Sequence, residues 1–571
     1  MRVYENKSNL LLTILLFGYS FAKSYQNYEV IKIGSNYLST PNMNDDMLNE
    51  IINSTSCEDM DEFNRNGPLH ILCRNNETII IKKIARKYNV NFVVTTKNIN
   101  EEIETSEVGR SFDVIDLNSF NHDTYLGVSS MEKWLESLEH KYNEFMEIKI
   151  IGKSHQNRKI FCIEISTNKN NPIVLIDAGI HAREWIAPAT SLFVIESVLK
   201  IFNGESIVIG EFHQSEEMKK FQWHIIPNAN PDGYHFTRTE DRFWSKNRRN
   251  PDKGSKCSGV NLNRNFPSGF GKGPKNPCAR AYIGKYPLSE PETKAIADYV
   301  KSIVHNNVIM ALSFHCFGQT LFTPFAYDGP SSHPLLELMH TMLEDATHHM
   351  LPNYYQYGLV RTYLRYKNEG IGGTSMDFYA DQGIPFAYTW ELPDMGQHGM
   401  LMPSRKIQEI GKEVMTGLSR MTAWIYKNQR EINVSSKNNP KLDLKSTTST
   451  ISSIKSWNNC CSKIKVESFG PSNDQHSSSM GIYEAINNPS IEYNGERFVY
   501  KKTTNIPEKN PRFLYYLPIY EIWMVGNKLG QSYATLFHFE DSLCPEKLTG
   551  SWFYYDNSWK NSDRSLKVSC F

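Results

Sequence analysis

The segment from Ile173 to Phe202 constrains this chain most. Ile173-Val174-Leu175-Ile176-Asp177-Ala178 is an apolar run of the kind that forms a strand buried on both faces. Ile186 to Phe202 is apolar over a helix length. Between them stands Gly179-Ile180-His181-Ala182-Arg183-Glu184-Trp185, so an imidazole and a carboxylate three residues apart fall on a strand-to-helix junction. Such a pair can close on one metal ion, with a third donor from elsewhere and one position left for water. An isolated HxxE has a plainer meaning, a structural histidine beside a surface glutamate. The downstream residues decide between the two.

Val308 to Phe314 is a second strand-like run and delivers His315 at its end; Phe386 to Trp390 is a third and delivers Glu391. In α/β proteins the carboxyl ends of sheet strands face the ligand crevice. Two histidines, a ligand glutamate and a spare glutamate on three strand ends make the donor set of a hydrolytic zinc site.

With Asn263-Arg264 between them, these residues fall in the order and approximate spacing of the zinc carboxypeptidases of the pancreatic A/B type, which the stretch from about 25 to 428 resembles. The resemblance implies an α/β/α sandwich over a mixed sheet. It also implies a small α+β pro-segment that covers the cleft until an activating protease cuts near Arg110. His181, Glu184 and His315 would hold one Zn²⁺, and Glu391 would move the proton between water and the departing amine. Arg264, with Asn263, would grip the terminal carboxylate, since a guanidinium forks well onto a carboxylate. Arg183 would assist. The substrates implied are peptide or protein C-termini, and Cys257 would pair with Cys278.

Departures from the family pattern matter. Where the family carries an oxyanion-stabilising Arg after a Trp, this chain reads Arg242-Phe243-Trp244-Ser245-Lys246, and losing one such donor costs roughly a hundred- to a thousandfold in rate. Lys246, Arg242 and Arg248 are the candidates to replace it. A family Asp behind the first zinc histidine is Asn261, a weaker support for the ligand. The lid tyrosine has Tyr366 as its best match, beside a stretch, Lys367 to Gly373, that looks longer than usual. The specificity position falls on Met376, which with Thr389 and Phe322 suits apolar or aromatic C-terminal residues. Cys316, where the family has Ser, is either an inert buried thiol or half of a disulfide with Cys162.

The remaining chain fits an exported protein. Arg2 and Lys7 precede the apolar run Leu10 to Phe17, with Ala22 beyond, so residues 1–22 read as a signal peptide; the run is too short to span a membrane. Ten cysteines and sequons at Asn53, Asn76 and Asn433 agree with a secreted, disulfide-bonded glycoprotein. Lys+Arg and Asp+Glu both number 62, so no overall field draws the chain to nucleic acid or anionic membrane.

Residues 23–110 read as the pro-segment, an ordinary N-terminal subdomain being the alternative from the residues alone, and 111–428 as the catalytic domain. A Ser/Thr/Asn/Lys linker occupies 429–457. Residues 458–571, with Cys460, Cys461, Cys544 and Cys570, form a small disulfide-bonded all-β module of unknown ligand. Ser129-Ser130-Met131-Glu132 is expected as a capping box, Ser289-Glu290-Pro291-Glu292 as the start of a further helix, Asn230-Pro231-Asp232-Gly233 as a turn, and Asn494-Gly495 as a hairpin. Two rival functions follow. Ser245 and Asn261 leave a weakened protein that binds zinc and peptide C-termini, or the C-terminal module carries the biological role.

Overall fold

Strands apolar on both sides must be covered on both faces, and the helices between them do the covering. In a computed structural model the described residues are 23–34, 45–60, 68–106, 120–205, 208–209, 212–213, 216–250, 254–327, 333, 335–350, 355–360, 371–428, 460–469, 477–486, 499–503, 511–517, 522–526, 536–539, 544–548, 552–554, 561–563 and 565–571. Arg110, Tyr366, Asn494-Gly495, residues 1–22 and the expected linker lie outside them. The chain divides into two compact units, Met1–Asn439 and Pro440–Phe571.

The first unit opens with β1 (Tyr28–Ile33), β2 (Glu58–Asp59), β3 (Leu69–Arg74) and β4 (Phe92–Thr96), arranged in the order β2-β3-β1-β4. Alternation gives this sheet two apolar faces. Ile31, Ile33, Leu69, Ile71 and Cys73 pack with the helices Asp45–Ser54 and Thr78–Lys87. Val30, Leu72 and Met60 point the other way and join the main core of the unit. A disulfide joins Cys57 to Cys73.

The large sheet holds β5 (Met146–Lys153), β6 (Lys159–Ile165), β7 (Ile173–Ala178), β10 (Gln222–Ile226), β11 (Val308–Cys316), β12 (Thr320–Thr323), β13 (Gln356–Leu359) and β14 (Phe386–Leu392); a short hairpin, β8 (Val208–Ile209) and β9 (Phe212–His213), lies apart. Its order is β13-β12-β14-β11-β7-β10-β6-β5. The four central strands run parallel, and both flanks bring in antiparallel pairings, so the sheet is mixed.

Parity along the strands sorts the core. Val174, Ile176, Met310, Leu312, Phe386, Tyr388 and Trp390 belong to the cluster shared with the helices Ile186–Phe202, Leu336–His348 and Ile407–Lys427. Ile173, Leu175, Ala311 and Ala387 belong to the opposite cluster, with the helices Pro291–Ile303 and Ser375–Asp381. Positions 177, 313, 315 and 391 share the parity of this second face.

Two local expectations change. The helix expected from Ser129 starts at Val128 with Gly127 as its N-cap. The expected turn at Asn230 is a helix start: its side chain accepts from the Gly233 N–H at 3.0 Å, Pro231 sits in the first turn, and Pro231–Thr239 is helical.

The second unit is an antiparallel sheet of nine strands: β15 (Lys463–Glu467), β16 (Gly481–Ile486), β17 (Val499–Lys502), β18 (Phe513–Leu517), β19 (Ile522–Gly526), β20 (Leu536–Phe539), β21 (Trp552–Tyr554), β22 (Asn561–Asp563) and β23 (Lys567–Cys570). The order is a meander from β22 back to β15, with β23 beside β15. The two outermost strands are therefore consecutive in the chain, and Cα atoms of Asp563 and Lys567 can be at most about 14 Å apart. A flat sheet of this size would hold its edges roughly 38 Å apart, so the meander is curled into a barrel. Its interior is filled by Ile464, Val466, Tyr483, Tyr500, Tyr516, Trp523 and other buried residues. Disulfides Cys460–Cys544 and Cys461–Cys570 complete the unit.

Candidate metal centre and substrate cleft

Gly179 lets the chain leave β7 sharply: its φ is +72°, and a Cβ there would lie 2.9 Å from Pro188. The bend puts His181 and Glu184 over the sheet end, and the next strand delivers His315 in register with Glu391 of β14. Donor atoms of His181, Glu184 and His315 all lie within 4.8 Å of one another. His181 Nδ1 is 2.8 Å from Glu184 Oε1, and His315 Nδ1 is 3.1 Å from Glu184 Oε2.

The outer ring nitrogens decide what the inner ones present. His181 Nε2 lies 3.1 Å from Asn261 Oδ1, and that same oxygen accepts the Asn263 backbone N–H at 3.0 Å. An oxygen already serving as acceptor requires Nε2–H as donor, which leaves a lone pair on Nδ1. Behind His315, Ser313 Oγ donates to Asp177 Oδ1 at 2.8 Å and lies 3.1 Å from His315 Nε2. Tyr379 donates to the other Asp177 oxygen at 2.7 Å. His315 Nε2–H is thus the donor to Ser313, and Nδ1 again faces inward as a lone pair.

Two inward lone pairs beside a carboxylate, all buried, call for a cation among them. The residues fit a divalent metal. Burial lowers His181, which keeps the ring neutral as a ligand must be. Asp177 is pushed up to about 6 by burial.

Asn261 also caps the short turn Leu262–Arg264, so one amide serves both the His181 ring and the turn that carries Asn263 and Arg264. Asn263 Oδ1 accepts from the Ser375 N–H at 2.9 Å. Gly373, with φ +76°, lets this turn seat closely: a Cβ there would be 2.2 Å from the Arg264 carbonyl oxygen. Arg264 is buried and lines a cavity of about 990 Å³ that also touches Ser245 and Ile371. Met376 and Phe322 lie in one buried apolar cluster, and Thr389 pairs with Phe322 across β14 and β12. Arg183 donates to the Met60 carbonyl at 3.3 Å, a contact from the N-terminal segment. Tyr366 lies outside the described residues.

None of the three cations offered as replacements for an Arg at Ser245 is poised to do so. Arg242 donates to the carbonyls of Arg183 and Met400 and stacks on Trp185. Lys246 donates to Pro277 O at 2.8 Å. The Arg248 guanidinium lies over Phe236 and Trp244, 3.5 and 4.4 Å from the ring centres. Cys257 and Cys278 are bonded, whereas Cys162 and Cys316 are separate buried thiols. The Ser313–Asp177–Tyr379 chain is absent from the sequence reading; its one signal was an aspartate inside an apolar strand.

Known proteins agree with this geometry. A family model described as zinc carboxypeptidase matches residues 131–417. Carboxypeptidase O of Homo sapiens is 30% identical over 325 residues, covering 56% of this chain and 84% of that protein. Carboxypeptidase A1 of Bos taurus is 32% identical over 306 residues, covering 53% and 70%. The crystal structure of thrombin activatable fibrinolysis inhibitor shares the fold, with a TM-score of 0.60 at 24% identity over 70% of this chain and 100% of that one. With the family model spanning half the chain over the converging donors, the protein belongs to the zinc carboxypeptidase family, metal-dependent peptide hydrolases with one catalytic Zn²⁺.

Proposed function

We propose that the chain is a secreted carboxypeptidase, made as a zymogen, that releases apolar or aromatic C-terminal residues from peptides or proteins. The observation that carries the reading is the convergence of two imidazole Nδ1 atoms on Glu184, beside a strand that holds Glu391 level with His315. His181, Glu184 and His315 hold the zinc, which when bound polarises the scissile carbonyl and acidifies a water. A Glu391 carboxylate oxygen takes the water proton and passes it to the departing amine. Arg264 and Asn263 hold the terminal carboxylate, with Arg183 assisting, and this clamp fixes which bond is cut. Met376, Phe322 and Thr389 line the pocket for the last side chain, and Tyr366 is the candidate for the lid tyrosine.

The proposed organisation is a signal peptide at 1–22, a pro-segment at 23–110 released by a protease near Arg110, a catalytic domain at 111–428, a linker at 429–457 and a β module at 458–571. Support for the zymogen comes from Met60, whose carbonyl occupies Arg183, and from Lys23 and Tyr25, which both bond Asp241. Four disulfides and exposed sequons at Asn53 and Asn76 suit export. No helix among the described residues is long and apolar enough to cross a membrane.

A second reading, a zinc- and C-terminus-binding protein with little turnover, is favoured by the engagement of Arg242, Lys246 and Arg248 away from Ser245. The two part on one assay. After trypsin treatment and trypsin removal, the zinc-loaded chain should release Phe from a blocked peptide, and a chelator should stop it. Zinc retention without release would leave the binding protein.

A further inference from the structure

The cavity of about 990 Å³ is lined by residues of the N-terminal segment and of the catalytic region, among them Arg264, Ser245 and the Cys257–Cys278 disulfide. On the catalytic side its wall carries six cations: Lys246, Arg248, Lys256, Arg264, Lys272 and Arg280. The described wall residues on that side include a single carboxylate, Asp241, which already holds Lys23 and Tyr25. A terminal carboxylate calls for one guanidinium. The wall holds five cations beyond that one; Lys246 and Arg248 among them also contact carbonyls and aromatic rings, and all five keep their positive charge on this face.

What faces them is informative. The strand β2 is Glu58–Asp59, two adjacent carboxylates on an extended segment, and both residues line this same cavity. An acidic peptide segment is therefore already seated against the basic wall. Facing surfaces of opposite sign attract, and that attraction selects partners and speeds encounter. Lys246 is lowered to about 8, chiefly by burial and in addition by the neighbouring Arg248.

We propose that this wall makes the enzyme prefer peptides with acidic side chains next to the C-terminal residue. The inference rests on the carboxypeptidase reading and deepens it. When the N-terminal segment leaves, substrate carboxylates take the places of Glu58 and Asp59. Arg264 and Ser245 both lie on the wall, so it adjoins the place where the terminal carboxylate is held.

The test uses the zinc-loaded full chain, cut by trypsin that is then removed, with dansyl-Glu-Glu-Phe, dansyl-Gly-Gly-Phe and dansyl-Lys-Lys-Phe. Both binding, by fluorescence, and kcat/KM are measured. At low ionic strength the Glu-Glu peptide should exceed the Gly-Gly peptide by about tenfold in kcat/KM, and high salt should shrink the gap. The Lys-Lys peptide should be poorest. The double substitution Lys256→Glu with Arg280→Glu should reverse the order. Equal binding and equal rates for all three wild-type reactions would overturn the inference and leave the hydrolase reading intact. Charge-ordered binding without hydrolysis would support it and sink the hydrolase reading.

Discussion

The carboxamide oxygen of Asn261 accepts from the His181 ring and from the Asn263 backbone, so one neutral acceptor fixes both that ring and the turn bearing Arg264. A carboxylate there would hold the ring more strongly. Ser245 is the sharper departure, because its nearby cations are spent on carbonyls and aromatic faces. Ser245→Arg is expected to raise kcat by roughly a hundred- to a thousandfold on the Phe peptide; an unchanged rate would place the deficit elsewhere. The local pair His181 and Glu184 was legible because its spacing lies within one turn of chain. The placing of His315 and Glu391 at strand ends was legible because apolar runs end on them. Ser313, Asp177 and Tyr379 were not, since their meeting depends on strand register and on a helix 202 positions away from Asp177.

At the scale of elements, parity does the sorting. Residues of β11 at 311, 313 and 315 share one face, so the strand that buries Ala311 also aims His315 at the cleft. The core strands and helices announced themselves through apolar runs and helical spacing. Helix starts did not, because Asn230 and Pro231 suit a turn and an N-cap equally until Gly233 donates to the amide.

The helix Pro291–Ile303 yields a prediction. Glu292 in its first turn is buried, accepts from the His155 N–H and Asn247, and is raised to about 7 by burial. A carboxyl raised in the folded state binds a proton there that the unfolded chain has lost, so its charged form costs stability above about pH 7, and the cost fades as pH falls toward the ordinary value of 4.5. Glu292→Gln should therefore melt higher than wild type at pH 8, by an amount worth about 1–3 kcal/mol, and the two should converge near pH 5. A pH-independent difference in Tm would contradict this.

On the scale of the whole molecule, the N-terminal segment of the first unit is held at several separated points. Lys23 and Tyr25 bond Asp241, the Lys23 N–H donates to Glu240, and Val30, Leu72 and Met60 extend the main core. Tyr25 is fully buried with its ring edge-on to Phe243. Tyr25→Phe keeps the ring but leaves Asp241 without its hydroxyl donor, a loss of about 1–3 kcal/mol. Amide hydrogen exchange across 25–33 should then speed up by about tenfold in the full chain; unaltered exchange would deny the latch. The second unit carries a different lesson. The two strands at the ends of its order, β22 and β23, hold only three and four residues, so each offers few open amides for a neighbouring chain to add to, a brake on fibril growth.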